Sequence, residues 1–159
     1  MLTEKSFFEI FDIQTHTLNK WQKIINLLAS FFDLPAALIM RLNQKKIEVF
    51  ISSESKGNPY SVGDNNFVFN SGLYCEHVIK TQNMLFVKNA LKNTQWKKNP
   101  DIKLDMTNYL GLPITLPSGE AFGTICVLDK NERKYSQIQI DLLKEFRNII
   151  ESDLKLINT

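Results

Sequence analysis

The chain has 159 residues, of which 43% are hydrophobic and 23% are charged, and its formal net charge is +2. A chain of this length most simply folds as one domain, which we place over residues 1–159, and it can bury roughly two thirds of its unfolded surface. The small net charge does not favour binding to nucleic acid or to a membrane, for which a concentrated basic patch is expected.

The N-terminal sequence and the cysteines indicate in which cellular compartment the protein is expected. The N-terminal sequence MLTEKSFFEIFDIQ has acidic residues where a signal peptide carries its apolar run. No uninterrupted apolar stretch approaches the ~20 residues needed to cross a bilayer. Cys75 and Cys126 are far apart and lack CxxC spacing, which indicates neither a disulfide framework nor a zinc site. We therefore expect a cytoplasmic protein with free thiols, no metal and no cofactor.

The chain begins with a predicted helix. Over residues 4–32, apolar residues recur at steps of three and four, which is typical of one face of a helix. The polar patch at 15–17 can divide this helix in two, and Asp33 and Pro35 end it.

Two strands and a loop follow. The segments 36–42 and 47–53 are predicted strands, and the short polar link between them suits a hairpin. Residues 54–66 contain glycine, proline and asparagine and are predicted to form a loop.

The middle of the chain is predicted to hold short elements. Ser71 is a suitable N-cap for a helix over 72–81, and a short strand is predicted over 84–87. The polar segment 88–105 is too long to be a plain connector in a compact domain, and such loops often carry function.

The segments 108–116 and 121–129 form the clearest predicted strand pair, and a turn with proline and glycine joins them. Both faces of these strands carry apolar residues, which indicates a sheet that is covered on both sides. On the first strand one side has Leu110, Leu112, Ile114 and Leu116; on the second, Ile125 and Val127 oppose Phe122, Cys126 and Leu128.

The last predicted helix starts at a capping box formed by Ser136 and Gln139 and runs to about residue 157. The layout is therefore a long helix, a hairpin, a short helical middle, a second hairpin and a second long helix.

The row Cys75-Glu76-His77 could suggest a catalytic or metal-binding cluster. Successive helix residues are rotated by about 100°, so Cys75 shares the apolar face with Tyr74 and Val78, whereas Glu76 and His77 point away from it. Three adjacent helical positions cannot converge on one ion, and a cysteine on an apolar face is most often a small buried hydrophobe. We predict no metal site and no catalytic residue here.

Several motifs in order resemble the GAF domain, a small regulatory module of bacterial sensor kinases and cyclic-dinucleotide enzymes. These are GLYCEHVI, MLFVKNALKNTQW, NPDI, YLGLPITLPSGEAFGTICVLD and YSQIQIDLLKEF. The resemblance covers about residues 18–154 and leaves 1–17 as an N-terminal helical extension.

The resemblance implies an α+β fold with a central antiparallel sheet of five to six strands. The N- and C-terminal helices would pack on one face, and the short helices and long loop would cover a small-molecule pocket on the other. Within such a sheet, Pro113 should lie at a bulge or on an edge-facing side, because proline cannot donate a ladder hydrogen bond.

Three differences from known members of this family count against particular ligands or activities. The Asn-Lys…Phe…Asp-Glu signature of cyclic-nucleotide binders is not found, and His77 stands one place too late after Cys75 for bilin attachment. Members that reduce free methionine sulfoxide use several cysteines in the long loop, and 88–105 contains none.

The candidate pocket combines aromatic walls with a few polar groups, as ligand sites do. The same residues could instead simply fill the core. The lysines around Trp96 could attract an anionic ligand, although a solvated basic face is the simpler interpretation. The candidate ligand-binding residues are Phe69, Tyr74, Cys75, Trp96, Tyr109 and Gly111.

These observations favour a non-catalytic, small-molecule-sensing module of intracellular signal transduction that signals through its terminal helices as a homodimer. Two alternatives stay open. One is a thiol redox enzyme of the free methionine sulfoxide reductase type acting through Cys75 or Cys126. The other is a dimerisation module with a vestigial pocket, since the end helices display apolar surface.

Overall fold

The structure is a computed structural model that describes residues 13–157. These residues form three α-helices, two short 3₁₀ helices and six strands. In chain order they are α1 (Thr15–Phe32), β1 (Ala36–Asn43), β2 (Lys46–Ser52), β3 (Asn65–Phe67), α2 (Tyr74–Thr81), β4 (Leu85–Val87), the 3₁₀ helices Ala90–Lys92 and Pro100–Leu104, β5 (Asn108–Thr115), β6 (Ala121–Asp129) and α3 (Gln137–Ile157).

The six strands make one antiparallel sheet in the order β3-β2-β1-β6-β5-β4. The two predicted hairpins lie side by side, because β1 pairs with β6 from Ala36 opposite Leu128 to Arg41 opposite Gly123. A two-residue turn joins β1 to β2, and its first residue, Gln44, has the positive φ of 59° that such turns favour. The α+β fold expected from the sequence is confirmed.

One face of the sheet, which we call the helix face, is covered by α1 and α3. Trp21, Ile25 and Leu28 of α1 are fully buried there, as the three-and-four spacing predicts. The indole N–H of Trp21 donates a 2.8 Å hydrogen bond to Asp153 of α3, so the buried ring leaves no unpaired donor and links the two helices. The packing of both terminal helices on one face is confirmed.

The opposite face, which we call the lid face, is covered by α2, the two 3₁₀ helices and the loop between β2 and β3. A second apolar cluster lies here, separate from that of the helix face. Alternation along β1 explains both clusters, since Leu38 points to the lid face and Ile39 to the helix face. The prediction of a sheet covered on both sides is confirmed.

Helix α1 begins at Thr15, inside the polar patch that can divide the predicted helix in two, and the prediction for residues 4–12 lies outside the described residues. One helix start differs from the sequence prediction. Helix α2 begins at Tyr74 rather than Gly72, and Ser71 lies before the N-cap residue Leu73. Within the described part of the chain, no helix is both long and apolar enough to span a bilayer.

The prediction that Phe122 shares a face with Cys126 and Leu128 is wrong. The β5–β6 register shifts between Ile114, which faces Gly123, and Thr115, which faces Ala121. The bulge leaves Phe122 as the extra residue and turns its ring to the helix face, 6.2 Å from the Trp21 ring. Pro113 agrees with its prediction, because β4 pairs with β5 only as far as Gly111 and leaves the edge open beyond it.

Candidate functional site

A cavity of about 310 Å³ lies on the lid face. Its floor comes from the lid-facing residues of β1, β2 and β6, and its walls come from the start of α2, the loop before β3 and the second 3₁₀ helix. The volume lies at the lower end of the ~300–1,000 Å³ range of small-molecule sites. The lining residues are Leu38, Met40, Ile47, Val49, Tyr60, Asp64, Asn65, Asn66, Leu73, Cys75, Pro100, Asp101, Leu104, Tyr109, Cys126 and Leu128.

Two thiols line the cavity, Cys75 of α2 and Cys126 of β6. The Sγ atom of Cys75 is 3.7 Å from the hydroxyl of Tyr109 and 3.5 Å from that of Thr124. Burial raises the pKa of the Cys126 thiol, and a hydrogen bond with Cys75 raises it further. The same hydrogen bond lowers the pKa of Cys75, against the opposing effect of burial. One thiol of the pair therefore stays protonated while the other is the easier to ionise.

A carboxylate borders the cavity beside the thiols. The Tyr60 hydroxyl donates a 2.8 Å hydrogen bond to Asp101, and the side chain of Asn99 accepts the Asp101 backbone N–H at 2.9 Å. Burial raises the pKa of Asp101 to about 6, and the hydrogen bonds from Tyr60 and from the backbone of Tyr74 oppose this rise. The carboxylate is thus partly desolvated and held in place from two sides.

The cavity wall includes two of the six candidate residues, Cys75 and Tyr109. Tyr74 lies one layer behind, where its ring stacks on Tyr109 at 4.6 Å and lies 5.4 Å from the Trp96 ring. Tyr74 and Trp96 therefore pack behind the residues that line the cavity. A role of any of them in ligand binding stays a prediction.

The other two candidates have different positions. Gly111 lies under the Tyr109 ring, since a Cβ at Gly111 would be 2.2 Å from the Tyr109 hydroxyl oxygen. Its missing side chain leaves room for the ring. Phe69 is outside the cavity lining and its side chain is 49% exposed.

Sequence reasoning missed Asp101 and Tyr60. Both lie in segments predicted as loops. The one available signal was the Asn99-Pro100-Asp101 sequence, in which asparagine caps the 3₁₀ helix and proline stands at its start.

The lysines of the long segment do not line the cavity. Lys88 and Lys92 approach Glu132 at 3.7 and 3.4 Å, on the outside of the domain. Lys97, Lys98 and Lys103 are exposed. Among the described residues, the charged side chains of the lining are the carboxylates of Asp64 and Asp101.

The side chains of Cys75, Glu76 and His77 have different surroundings. Glu76 accepts hydrogen bonds from the backbone N–H groups of Asn70 and Gly72 and so holds the segment before α2, and its charge lies in the first turn of that helix. The His77 ring lies against Trp96, with ring centres 5.6 Å apart. Residues 13–157 hold no group of three side chains suited to a metal ion.

Solved structures show the same fold. A methyl-accepting chemotaxis protein fragment matches with a TM-score of 0.71 and 15% identity, over 90% of this chain and 89% of its own. The GAF domain of an Acinetobacter phosphoenolpyruvate-protein phosphotransferase matches with 0.69 and 16%, over 87% and 81%. A free methionine-R-sulfoxide reductase from Neisseria meningitidis, solved with its substrate, matches with 0.72 and 9%, over 95% and 86%.

At these identities the likeness establishes the fold alone. None of the curated proteins compared with the chain matches it. The family model of the GAF domain, however, matches residues 22–151, which is most of the chain. That span begins inside α1 and ends inside α3, and it contains the whole sheet and the cavity. The chain therefore belongs to the GAF domain family.

Proposed function

We propose that this GAF domain is a non-catalytic sensory module that binds a small molecule in the lid-face cavity. The observation that carries the proposal is the cavity itself, which combines an apolar floor with a few fixed polar groups at one side. Leu38, Met40 and Val49 offer apolar contact, whereas Tyr60 and Asp101 offer a fixed hydrogen-bonding pair. This division is typical of small-molecule sites.

The route from the cavity to the terminal helices is short. Strands β1 and β6 lie at the centre of the sheet, with Leu38 and Leu128 on the cavity and Ile39 and Val127 on the helix face. A ligand that shifts these strands would alter their packing against α1 and α3. We propose that the terminal helices pass this change to an output domain or partner.

A blocked cavity tests the binding function. Val49→Phe would fill part of the cavity, whereas Val62→Phe would add the same atoms at a position that is 66% exposed. We expect native mass spectrometry of the protein purified from its own host to detect a bound small molecule in the wild type and in Val62→Phe, but not in Val49→Phe. Equal occupancy of all three proteins would contradict binding in this cavity.

We also propose a cytoplasmic homodimer that forms through the terminal helices. Large apolar side chains remain exposed on both helices, with Phe31 of α1 70% exposed and Ile138 of α3 81% exposed. Light scattering should give twice the monomer mass for the wild type and the monomer mass for the double variant Phe31→Lys, Ile138→Lys. A monomeric wild type would overturn the dimer and leave the binding proposal intact.

One observation favours a second function, a thiol redox enzyme. Cys75 and Cys126 both line the cavity, and the fold is also that of free methionine-R-sulfoxide reductases. In such a reaction two thiols would become a disulfide, the sulfoxide would be reduced to the thioether, and water would leave. We expect both thiols to remain after incubation with free methionine-R-sulfoxide, and loss of both would overturn the non-catalytic assignment.

A further inference from the structure

The cavity carries a charge pattern that bears on its ligand. Its sixteen described lining residues include two carboxylates, Asp64 and Asp101, and no lysine, arginine or histidine. An anionic ligand would meet two like charges there and no compensating cation. Because charge interactions strengthen in a partly desolvated site, this pattern disfavours phosphate esters and carboxylates.

Asp101 lacks a cationic partner within the described residues. None of the ion pairs formed by residues 13–157 includes it. Its carboxylate accepts a hydrogen bond from the Tyr60 hydroxyl, which leaves acceptor positions unused. A carboxylate that is partly removed from water and has no cationic partner is a place where a cation would be stabilised.

The surroundings of Asp101 hold it in one position. The Asn99 side chain accepts a hydrogen bond from the backbone of Asp101, and the Tyr60 hydroxyl donates one to its carboxylate. The backbone N–H of Tyr60 in turn donates a 2.9 Å hydrogen bond to the side chain of Asn58. Asn58 in turn donates to Ser52 and Ser53 at the end of β2. The carboxylate is therefore tied to the sheet before any ligand arrives, and such preorganisation lowers the cost of binding.

We propose that the ligand is a small molecule with an apolar body and a cationic nitrogen, whose N–H groups donate to Asp101 while the body packs on Leu38, Met40 and Val49. This inference rests on the proposed binding function and adds the chemical class of the ligand. Asp64 is a weaker second contact, because its residue is exposed and its carboxylate already accepts the backbone N–H of Ser61 at 2.9 Å.

Three probes that share a phenyl group separate the possible charges. They are 2-phenylethylammonium as the cation, 2-phenylethanol as the neutral compound and 3-phenylpropanoate as the anion. We expect calorimetry at pH 7.5 to show that the cation binds the wild type about ten- to a hundredfold more tightly than the alcohol, as a charge-assisted hydrogen bond implies. The anion should bind more weakly than the alcohol.

Two matched variants assign the preference to one carboxylate. Asp101→Asn should reduce the affinity for the cation to that for the alcohol, whereas Asp64→Asn, the same change at an exposed position, should reduce it less than threefold. Circular dichroism would establish that both variants are folded. An unchanged preference for the cation in Asp101→Asn would overturn the inference.

The remaining outcomes distinguish the inference from the function on which it rests. If the alcohol or the anion binds as well as the cation, and Val49→Phe abolishes that binding, the cavity is a ligand site and the inference about charge is wrong. If none of the three probes binds the wild type at millimolar concentration, both the inference and the proposed function are overturned for ligands of this size.

Discussion

The two faces of the sheet bury similar kinds of residue but are covered in different ways. The helix face lies under two long helices, of 18 and 21 residues, whose apolar stripes run without interruption along the strands. The lid face lies under an eight-residue helix, two 3₁₀ helices and loops. The cavity of about 310 Å³ lies on the lid face.

The difference follows from how the elements on each face satisfy the hydrogen-bonding groups of their own backbone. A long helix pairs its N–H and C=O groups internally and can present a purely apolar face. Short helices and loops must find side-chain partners, so Asn58, Asn99 and Asp101 are drawn in among the apolar residues. A cover of this kind leaves a gap lined by polar groups. One face therefore stabilises the fold, while the other has the composition of a binding site.

Two strand glycines give the sharpest contrast. A Cβ at Gly123 would lie 1.8 Å from the backbone oxygen of Met40, so Gly123→Ala forces β1 and β6 apart. We expect a loss of more than about 4 kcal/mol of unfolding free energy, in the range that point mutations rarely reach. Gly111→Ala should cost only about 1–3 kcal/mol, because the Tyr109 ring that it displaces borders a cavity.

Urea denaturation of both glycine variants, followed by circular dichroism, would measure these losses. A cost for Gly111→Ala equal to that of Gly123→Ala would mean that the lid face packs as rigidly as the pairing between β1 and β6. Gly111→Ala should also change the reactivity of the Cys75 thiol, since that thiol contacts the Tyr109 hydroxyl.

Leucine truncations compare the packing of the two faces directly. Leu110 is fully buried on the helix face, and Leu128 is 2% exposed but borders the cavity. Leu110→Ala should cost about 3–5 kcal/mol and Leu128→Ala about 2–3 kcal/mol, because a side chain beside an existing gap loses fewer packing contacts. Chemical denaturation gives both values, and a larger cost for Leu128→Ala would contradict the comparison.

The sequence was sufficient for the helix face because its signals are local. The three-and-four spacing in α1 and α3, the capping box of Ser136 and Gln139, and the alternation of Leu110, Leu112 and Ile114 all fall within single elements. Hydrogen bonds of 2.9 and 3.1 Å between Ser136 and Gln139 confirm that capping box. The bulge at Phe122 could not be predicted, since a register shift depends on both strands of a pair.

The lid face could be predicted only in part, because its contacts join distant segments. Tyr60 and Asp101 are 41 residues apart, and their hydrogen bond depends on the paths of two loops. Aromatic and thiol residues near α2 could be identified as buried. Whether such a residue lines the cavity or packs behind its lining depends on how the lid is placed on the sheet. The sequence therefore could not show that Tyr109 lines the cavity and that Tyr74 lies behind it.

The partly buried carboxylate of Asp101 makes the lid face sensitive to pH. Its pKa is raised from 3.8 to about 6, so the folded state holds this proton more tightly than the unfolded state does. The unfolding free energy contributed by this group is therefore highest below pH 4 and falls as the pH rises to about 6. The loss is at most about 3 kcal/mol, from a shift of about two pH units.

Asp101→Asn should remove that decline and make the protein more stable than the wild type at pH 7.5. The Tyr60 hydroxyl can still donate to the amide oxygen, so the variant keeps the hydrogen bond without the buried charge. Thermal unfolding of both proteins between pH 4 and pH 8 would measure the difference between their stabilities. The titration of the other carboxylates is common to both proteins and cancels in this difference. A wild type that is the more stable protein at pH 7.5 would contradict the prediction.

The smallest expected effect comes from matched serines at the starts of α3 and α2. Ser136→Ala removes the cap of a 21-residue helix on the helix face and should cost about 1 kcal/mol. Ser71→Ala removes only a 3.2 Å hydrogen bond from the Leu73 N–H and a hydrogen bond to the Val68 carbonyl, while Glu76 still holds the segment before α2. It should therefore cost less in stability, as urea denaturation would measure.

The same serine pair separates stability from binding. Leu73 and Cys75, at the start of α2, line the cavity, whereas no residue of α3 is among the cavity's described lining residues. Ser71→Ala should change the affinity for a cavity ligand more than Ser136→Ala does, although it destabilises the protein less. Calorimetry with 2-phenylethylammonium would test this reversal. A ligand affinity that follows stability across the two variants would mean that the lid and the helix face respond as one unit.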